Sequence, residues 1–156
     1  MVDIFRSDIV DVREITKIVR NMTLYKNSVN KKTRELNETE YEMLRYITKR
    51  DSRSFKEVAS YLNIDKALVT RMSKKLSALE YIKIEADPND SRSKRLIACD
   101  KAFRLKDNIV GEEEFFYDKC LRVLTDEEKA KLLELIEKVY LESKKFRKNG
   151  WNFYEE

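Results

Sequence analysis

The fold is decided by residues 54–99, which read SFKEVASYLNIDKALVTRMSKKLSALEYIKIEADPNDSRSKRLIAC. Ser54 and Glu57 have the spacing of a capping box, in which each side chain bonds a backbone N–H at the start of a helix. The short helix that follows ends at a turn, and Asp65 then caps a second helix that continues to about Glu80. A short helix, a tight turn and a second helix together predict a helix-turn-helix.

The residues after this second helix change from helical to strand periodicity. Residues 81–85 alternate apolar and polar side chains, residues 87–90 form a turn cluster, and residues 95–99 are typical of a returning strand. An isolated hairpin is only marginally stable, so this one is expected to pack against the helices. The sequence therefore predicts a winged helix.

Further helices are predicted on both sides of this winged lobe. Apolar residues at helical spacing indicate a long helix from about residue 8 to about residue 31 and another over residues 100–121. Two more capping boxes predict the starts of helices, at Asn37 with Glu40 and at Thr125 with Glu128. The predicted fold class is mainly α with a small two-stranded β wing, in which a winged helix-turn-helix lobe is joined to a helical dimerisation lobe.

These elements divide the chain into two predicted regions. Residues 36–99 are expected to form the winged helix-turn-helix DNA-binding domain, since a helix-turn-helix can place its second helix in the major groove of DNA. Residues 1–35 and 100–156 form the helical dimerisation region, because the first and the last two helices carry apolar faces too extensive for one winged lobe to cover. We therefore expect a homodimer.

The composition excludes several classes of protein. The chain of 156 residues contains two Gly, one Pro and no His. Too few turn residues are present for a β-sandwich, and no glycine-rich phosphate loop can be written. The absence of His excludes Ser-His-Asp and Cys-His catalysis and imidazole metal sites, so we expect no enzyme activity, no cofactor and no metal. No apolar run exceeds four residues, which predicts no membrane span and a cytoplasmic protein.

The net charge of +4 is unevenly distributed. Counting Lys, Arg, Asp and Glu, residues 1–63 carry +3, residues 64–106 carry +5 and residues 107–156 carry −4. A localised basic segment attracts polyanions, whereas scattered charge mainly keeps a protein soluble. The basic middle segment contains the second helix of the pair and the hairpin, which favours a nucleic-acid partner.

The second helix of the pair is predicted to read DNA. A helical wheel at 100° per residue centres its apolar stripe between Leu68 and Met72. No carboxylate lies between Lys66 and Leu79, whereas an ordinary solvated helix alternates Glu with Lys. With Arg71 and Lys75 on its flank, the opposite face is expected to present Lys66, Ala67, Thr70, Ser73, Lys74 and Ser77.

The tip of the hairpin is also rich in positive charge, like the face of the second helix. Arg92, Lys94 and Arg95 cluster beside the turn, and an Arg at a hairpin tip can enter a narrow minor groove. Asp87 and Asp90 are expected to form the turn through bonds from side chain to backbone, or to orient Arg92 by an ion pair. The predicted DNA-binding residues are Lys66, Thr70, Arg71, Ser73, Lys74, Lys75, Ser77, Arg92 and Lys94.

The chain resembles the MarR family of winged-helix transcription factors over nearly all of its length. The most specific motif is the wing signature D-x-x-D-x-R at residues 87–92. The other motifs are Leu44-Arg45-Tyr46-Ile47, Val69-Thr70-Arg71, Leu79-Glu80 and Leu124-Thr125-Asp126-Glu127-Glu128. The resemblance implies a homodimer in which the first, fifth and sixth helices interlock and a winged lobe lies on each side.

The chain also departs from the pattern of this family. Glu80 is followed by Tyr81 and Ile82 where the family often has a Gly, and Cys99 and Ala102 occupy positions where a Thr and a Gly are common. The first helix lacks the Cys of the peroxide-sensing branch, and the chain lacks the His ligands of the zinc-sensing branch. Both of these sensing modes are therefore disfavoured.

The predicted function is that of a sequence-specific DNA-binding transcriptional regulator. The resemblance implies a repressor that a small molecule relieves. The expected partners are double-stranded DNA at a pseudo-palindromic operator, a second copy of the chain and a small aromatic or phenolic effector. Tyr25, Tyr46 and Tyr117 are candidates for lining an effector pocket.

Two other hypotheses remain open at this point. A non-enzymatic winged helix with an architectural or protein-binding role would need neither the carboxylate-free face nor Arg92. An enzyme would depend on the acidic cluster at residues 112–114, but consecutive side chains on a helix point about 100° apart and do not converge.

Overall fold

The computed structural model describes residues 11–29 and 35–154. In chain order the elements are α1 (Glu14–Val29), α2 (Glu38–Ile47), β1 (Arg53–Ser54), α3 (Phe55–Leu62), α4 (Lys66–Ala78), β2 (Ile82–Asp87), β3 (Asp90–Ala98), α5 (Asp100–Leu121) and α6 (Asp126–Lys148). The mainly helical fold class with a small β wing is confirmed. The predicted ends of the first helix, near residues 8 and 31, lie outside the described residues. Residues 11–13 form a turn before α1, so the prediction of helix there is wrong.

All three predicted capping boxes are present. In each, a side-chain oxygen accepts a hydrogen bond from the backbone N–H three residues later, and the carboxylate there accepts one in return. The pairs are Asn37 with Glu40, Ser54 with Glu57, and Thr125 with Glu128. Each cap is worth about 1 kcal/mol, so the starts of α2, α3 and α6 are specified by neighbouring residues alone.

The wing belongs to an antiparallel sheet with one strand more than predicted. β3 lies in the middle, with β1 on one side and β2 on the other. In the predicted hairpin Ile84 lies opposite Leu96, and β1 pairs Arg53 with Leu96 and Ser54 with Arg95. The sequence does not predict β1, because its two residues show no alternation and because Ser54 also caps α3.

The winged lobe is organised around a shared core. The side chains of Met43, Ile47, Val58, Val69, Leu76 and Leu96 are fully buried. They come from α2, α3, α4 and β3, and burial of each stabilises the fold by about 1.5–3 kcal/mol relative to exposure. The common core fixes α4 and the hairpin relative to each other.

The turn between α4 and β2 is made without glycine. Glu80 has a φ of +66°, in the left-handed region where glycine is favoured. The N–H of Glu80 donates to the carbonyl of Ser77 at 3.0 Å, and the N–H of Tyr81 donates to the carbonyl of Leu76 at 2.9 Å. Tyr81 and Leu76 are both buried. The two hydrogen bonds and the burial of these side chains offset the backbone strain at Glu80.

Contacts divide the chain into two compact units, residues 1–114 and 115–156, with the boundary inside α5. In the second unit, no residue of α6 is buried. After α6, the N–H of Trp151 donates to the carbonyl of Phe146 at 2.7 Å, and the ring of Phe153 lies 4.7 Å from that of Phe146. The aromatic tail therefore folds back onto the end of α6.

Two observations limit the classes of site in the described part of the chain. None of its helices is both long enough and apolar enough to cross a membrane. It also contains no group of three or more His, Cys, Asp or Glu side chains arranged for a metal ion. Cys99 and Cys120 are free thiols.

Candidate nucleic-acid interface

Helix α4 has one buried face and one exposed face. Asp65 begins the helix by accepting a hydrogen bond from the N–H of Leu68 at 2.7 Å, as its position predicts. The buried residues are Val69, Met72, Ser73 and Leu76. The predicted apolar stripe omitted Val69, which is fully buried, and included Leu68, which is only partly buried. The true exposed face is therefore rotated toward Arg71.

Ser73 shows the consequence of this rotation. Its expected outward position is wrong, because the side chain is fully buried and its hydroxyl donates to the carbonyl of Val69 at 2.7 Å. A small hydroxyl can occupy the core when it bonds the carbonyl four residues earlier. Ser73 is therefore unavailable for contact with a ligand.

The exposed face of α4 is basic and partly small. Thr70 and Ser77 are half-buried, and its exposed residues are Lys66, Ala67, Arg71, Lys74, Lys75 and Ala78. The hydroxyl of Thr70 donates to the carbonyl of Lys66 at 2.9 Å, which leaves the oxygen as an acceptor. Short alanines permit close approach to a groove, and the basic heads can bond base edges or phosphates.

Lys75 differs from the other cations of α4 because it already has a partner. Its Nζ donates to both carboxylate oxygens of Glu40 in α2, at 2.7 and 2.9 Å. The Glu40 side chain is only 8% exposed, so this ion pair is partly shielded from water. Lys75 therefore holds α4 to α2, and we no longer count it among the predicted DNA-binding residues.

Asp87 and Asp90 build the turn of the wing. Asp87 accepts a hydrogen bond from the N–H of Asn89 at 2.9 Å. Asp90 accepts bonds from the N–H of Arg92 at 3.0 Å and from the hydroxyl of Ser93 at 2.9 Å. These bonds hold the pKa of the Asp90 carboxyl below its usual range. Within the described part of the chain, the Arg92 guanidinium makes no ion pair with either aspartate.

An irregularity in the sheet places Arg92 at the tip. Between Ala86 and Asp87 of β2, the paired position on β3 jumps from Lys94 to Asp90. Residues 91–93 are left without opposite partners, and such bulges redirect side chains away from the ladder. Arg92 and Lys94 are both exposed there.

Arg95 joins the base of the wing to the body of the winged lobe. Its Nε and Nη2 donate to the hydroxyl of Ser52 at 3.0 and 2.9 Å. Its Nη1 lies 3.8 Å from a carboxylate oxygen of Glu57 and 3.9 Å from one of Asp87. Although the sequence groups Arg95 with Arg92 and Lys94, its charge is balanced by two carboxylates.

The cations of α4 and β3 thus divide into two groups. Lys75 and Arg95 are paired with carboxylates inside the lobe. Over residues 11–29 and 35–154, five others have no carboxylate within 4.0 Å, and they lie on α4 and the wing: Lys66, Arg71, Lys74, Arg92 and Lys94. An uncompensated set of this kind is what a phosphate backbone attracts.

A cavity of about 490 Å³ lies beside α2 in the first unit. We call it the Tyr41 cavity; its lining residues are Lys26, Glu35, Leu36, Asn37, Glu38, Tyr41, Tyr81, Leu105, Asn108, Ile109 and Glu112. Burial raises the pKa of Tyr41 to about 12, and burial together with a hydrogen bond to Glu35 raises the pKa of Tyr81 to about 12. Both phenols are therefore neutral at pH 7.

None of the tyrosines suggested from the sequence lines this cavity. The ring of Tyr46 stacks on that of Tyr61 at 4.0 Å, and the guanidinium of Arg53 lies 3.9 Å from the centre of the Tyr46 ring. Tyr117 makes an edge contact with Phe116 at 5.4 Å. Tyr41 and Tyr81 were missed because their place in the cavity depends on how distant segments pack.

Comparison with known proteins supports the assignment of the winged lobe. The model of the MarR family matches residues 36–94, from two residues before α2 into β3. No curated protein matches the sequence.

Several solved structures share the fold over most of the chain. A MarR protein from Peptoclostridium difficile is 26% identical, with a TM-score of 0.66 and coverage of 97% of this chain and 95% of its own. A transcriptional regulator from Thermotoga maritima is 20% identical, with a TM-score of 0.67 and coverage of 90% and 96%.

The third structure is BpsR from Bordetella bronchiseptica, whose DNA binding is regulated by 6-hydroxynicotinic acid. It is 16% identical, with a TM-score of 0.60 and coverage of 89% of this chain and 98% of its own. The family match to residues 36–94 and this shared fold agree with the wing signature at residues 87–92, and over these residues the winged lobe matches the MarR family of transcriptional regulators.

Proposed function

We propose that this chain is a sequence-specific DNA-binding regulator that acts in the cytoplasm as a homodimeric repressor and has no enzyme activity. The observation that carries the proposal is the set of five uncompensated cations on α4 and the wing. Arg71 and Lys74 lie on the helix that would enter the major groove, and Arg92 lies on the tip that would reach the minor groove. A winged lobe used only for protein binding would need neither group.

The exposed apolar side chains support the homodimer. In α6, Leu133, Ile136, Val139 and Tyr140 are each about half exposed or more. In α1, Ile15 and Ile18 are exposed to a similar degree. Apolar surface on this scale, repeated along helices, marks a protein interface, and a second copy of the chain carries the same surface.

The Tyr41 cavity supports a small-molecule effector. Its volume lies in the range of small-molecule sites, and two neutral phenols with apolar neighbours suit an aromatic or phenolic ring. BpsR provides a precedent on this fold, since 6-hydroxynicotinic acid regulates its DNA binding. An effector that prefers a conformation of low DNA affinity would relieve repression.

Selection from genomic DNA tests the DNA-binding proposal. The full chain is incubated with sheared genomic DNA from its source, and bound fragments are sequenced. Imperfect palindromes should be enriched, and the variant with both Arg71→Glu and Arg92→Glu should enrich none. Recovery of no fragments would contradict DNA binding, and uniform recovery would contradict sequence specificity.

Sedimentation at micromolar concentration tests the dimer. The wild type should sediment at twice the chain mass, and Val139→Glu should shift it toward the monomer because the new charge would be buried in the interface. Lys138→Glu, at an exposed neighbouring position of α6, is the control and should leave the dimer intact. A wild type with only an 18.7 kDa species would contradict the proposal.

A further inference from the structure

A buried carboxylate, that of Glu40, connects the wall of the Tyr41 cavity to the proposed DNA-reading helix. Asn37, Glu38 and Tyr41 line the cavity at the start of α2. Glu40 lies among them, but its side chain reaches away to Lys75 of α4. The cavity wall and α4, the two sites of the proposed function, are therefore joined at this side chain.

The Glu40 carboxylate is bonded directly both to Asn37, at the cavity wall, and to Lys75 of α4. Its Oε2 accepts hydrogen bonds from the N–H of Asn37 at 2.9 Å and from the Nζ of Lys75 at 2.7 Å. Its Oε1 accepts a second bond from Lys75 at 2.9 Å. In return, the side chain of Asn37 accepts a bond from the N–H of Glu40 at 2.9 Å. A shift of Asn37 at the cavity wall must move the carboxylate that holds α4.

A second tie acts at the end of α4. The hydroxyl of Tyr81, which lines the cavity, donates to Glu35 at 2.7 Å. The Nζ of Lys101 lies 3.4 Å from Glu35 and donates to the carbonyl of Leu79 at 2.8 Å. Segment 35–41 is thus bonded to α4 at Lys75 and next to its last turn. Of the two ties, the one at Glu40 is the more buried and reaches α4 itself.

We propose that Glu40 is a positioning residue that couples occupancy of the Tyr41 cavity to the DNA affinity of α4 through its ion pair with Lys75. This coupling rests on the proposed function, because it needs both an operator and a cavity that responds to a ligand. Coupling between two sites in one protein typically changes an affinity 5- to 150-fold. The proposal assigns most of that change to one contact.

A test can use the protein itself in place of the unidentified ligand. Ile109→Trp adds an indole to the cavity wall, and Asn108→Trp does so at a more exposed position. Either variant should weaken binding to the selected operator by at least about fivefold, as a bound ligand would. Circular dichroism and thermal unfolding establish that each variant is folded, and Asn108→Trp replaces Ile109→Trp if the latter is not.

Glu40→Gln breaks the ion pair while keeping the helix cap. Gln is accepted at this position of a capping box, so its side chain can still receive the N–H of Asn37. In this background the tryptophan variant should weaken operator binding by less than about twofold. Lys75→Met should have the same effect, because it removes the other member of the pair.

Glu42→Gln is the matched control. Glu42 lies on the same helix and pairs with Arg45 at 2.6 Å, but it does not line the cavity. In this background the tryptophan variant should keep its full effect. An undiminished effect in the Glu40→Gln background would overturn the coupling and leave the proposed function intact. A tryptophan variant with no effect in any background would overturn the effector role of the cavity and the coupling with it. A wild type that binds no operator would overturn the proposed function.

Discussion

Arg92 is the single residue on which the proposed contact between the wing and DNA depends most. It lies in the unpaired stretch 91–93, it is exposed, and no carboxylate in the described part of the chain neutralises it. Arg92→Ala should weaken operator binding by about fivefold or more, since one such contact is worth about 1–3 kcal/mol.

Lys144→Ala is the control for this measurement. Lys144 lies in α6, within the segment that carries a net charge of −4, and its loss should change operator binding by less than twofold. The operator affinities of the Arg92→Ala and Lys144→Ala variants are measured by titration of a labelled operator. Equal losses from the two variants would mean that the wing does not touch DNA.

Glu80 offers a prediction about stability. Its φ of +66° costs an ordinary residue about 1 kcal/mol that glycine does not lose. Glu80→Gly should therefore raise the free energy of unfolding by up to about 1 kcal/mol, measured by urea denaturation. Asn63→Gly is the control at a φ of +53°; because Asn tolerates this region, its effect should be close to zero. A destabilised Glu80→Gly protein would refute the strain.

At the scale of elements, Arg95 binds the base of the wing to the rest of the winged lobe. Ser52→Ala removes the hydroxyl that accepts two of its bonds but removes no charge. If Arg95 positions the wing, Ser52→Ala should weaken operator binding by about fivefold, which corresponds to about 1 kcal/mol. Arg95→Lys should do the same, because an ammonium cannot reproduce the guanidinium fork.

A direct phosphate contact by Arg95 makes the opposite prediction. Arg95→Lys would then retain most of the affinity, and Ser52→Ala would retain all of it. The same operator titration, carried out at one salt concentration, distinguishes the two roles.

The elements were predictable from the sequence because their signals are local. A capping box relates residues three positions apart, and the Asp, Pro and Asn residues at 87–90 predict the hairpin turn. The contacts that decide which cations are paired inside the lobe and which are not join residues far apart in the sequence. Lys75 and Glu40 are 35 positions apart, and Arg95 and Ser52 are 43 apart. Ser73 was misplaced because Val69, one residue outside the assumed stripe, is part of the core.

At the scale of the whole molecule, the proposed two-fold dimer would present two copies of α4 and two wings. Two such helices enter major grooves about 34–36 Å apart, so the operator should be an imperfect palindrome. If three to five of the five free cations engage on each subunit, the dimer neutralises about 6–10 phosphates. Operator affinity should then fall about 10³–10⁵-fold between 50 and 200 mM salt.

The measurement is a salt series against the selected operator and a scrambled duplex. Lys74→Ala should lower the salt slope by about one per subunit on both duplexes. Lys75→Met should leave the slope unchanged, because its charge is already balanced by Glu40. A slope near zero for the wild type would remove the electrostatic basis of the interface.

The folded-back tail gives the protein a spectroscopic property of its own. Trp151 is the one tryptophan of the sequence, and 55% of its side chain is exposed in the turn that brings Phe153 to Phe146. Indole emission depends on the polarity around the ring, so all of the tryptophan fluorescence of the chain arises beside the end of α6. The unlabelled protein therefore contains a fluorescent reporter at the end of α6. If the proposed dimer changes the surroundings of Trp151, its emission will follow association as the protein concentration is raised.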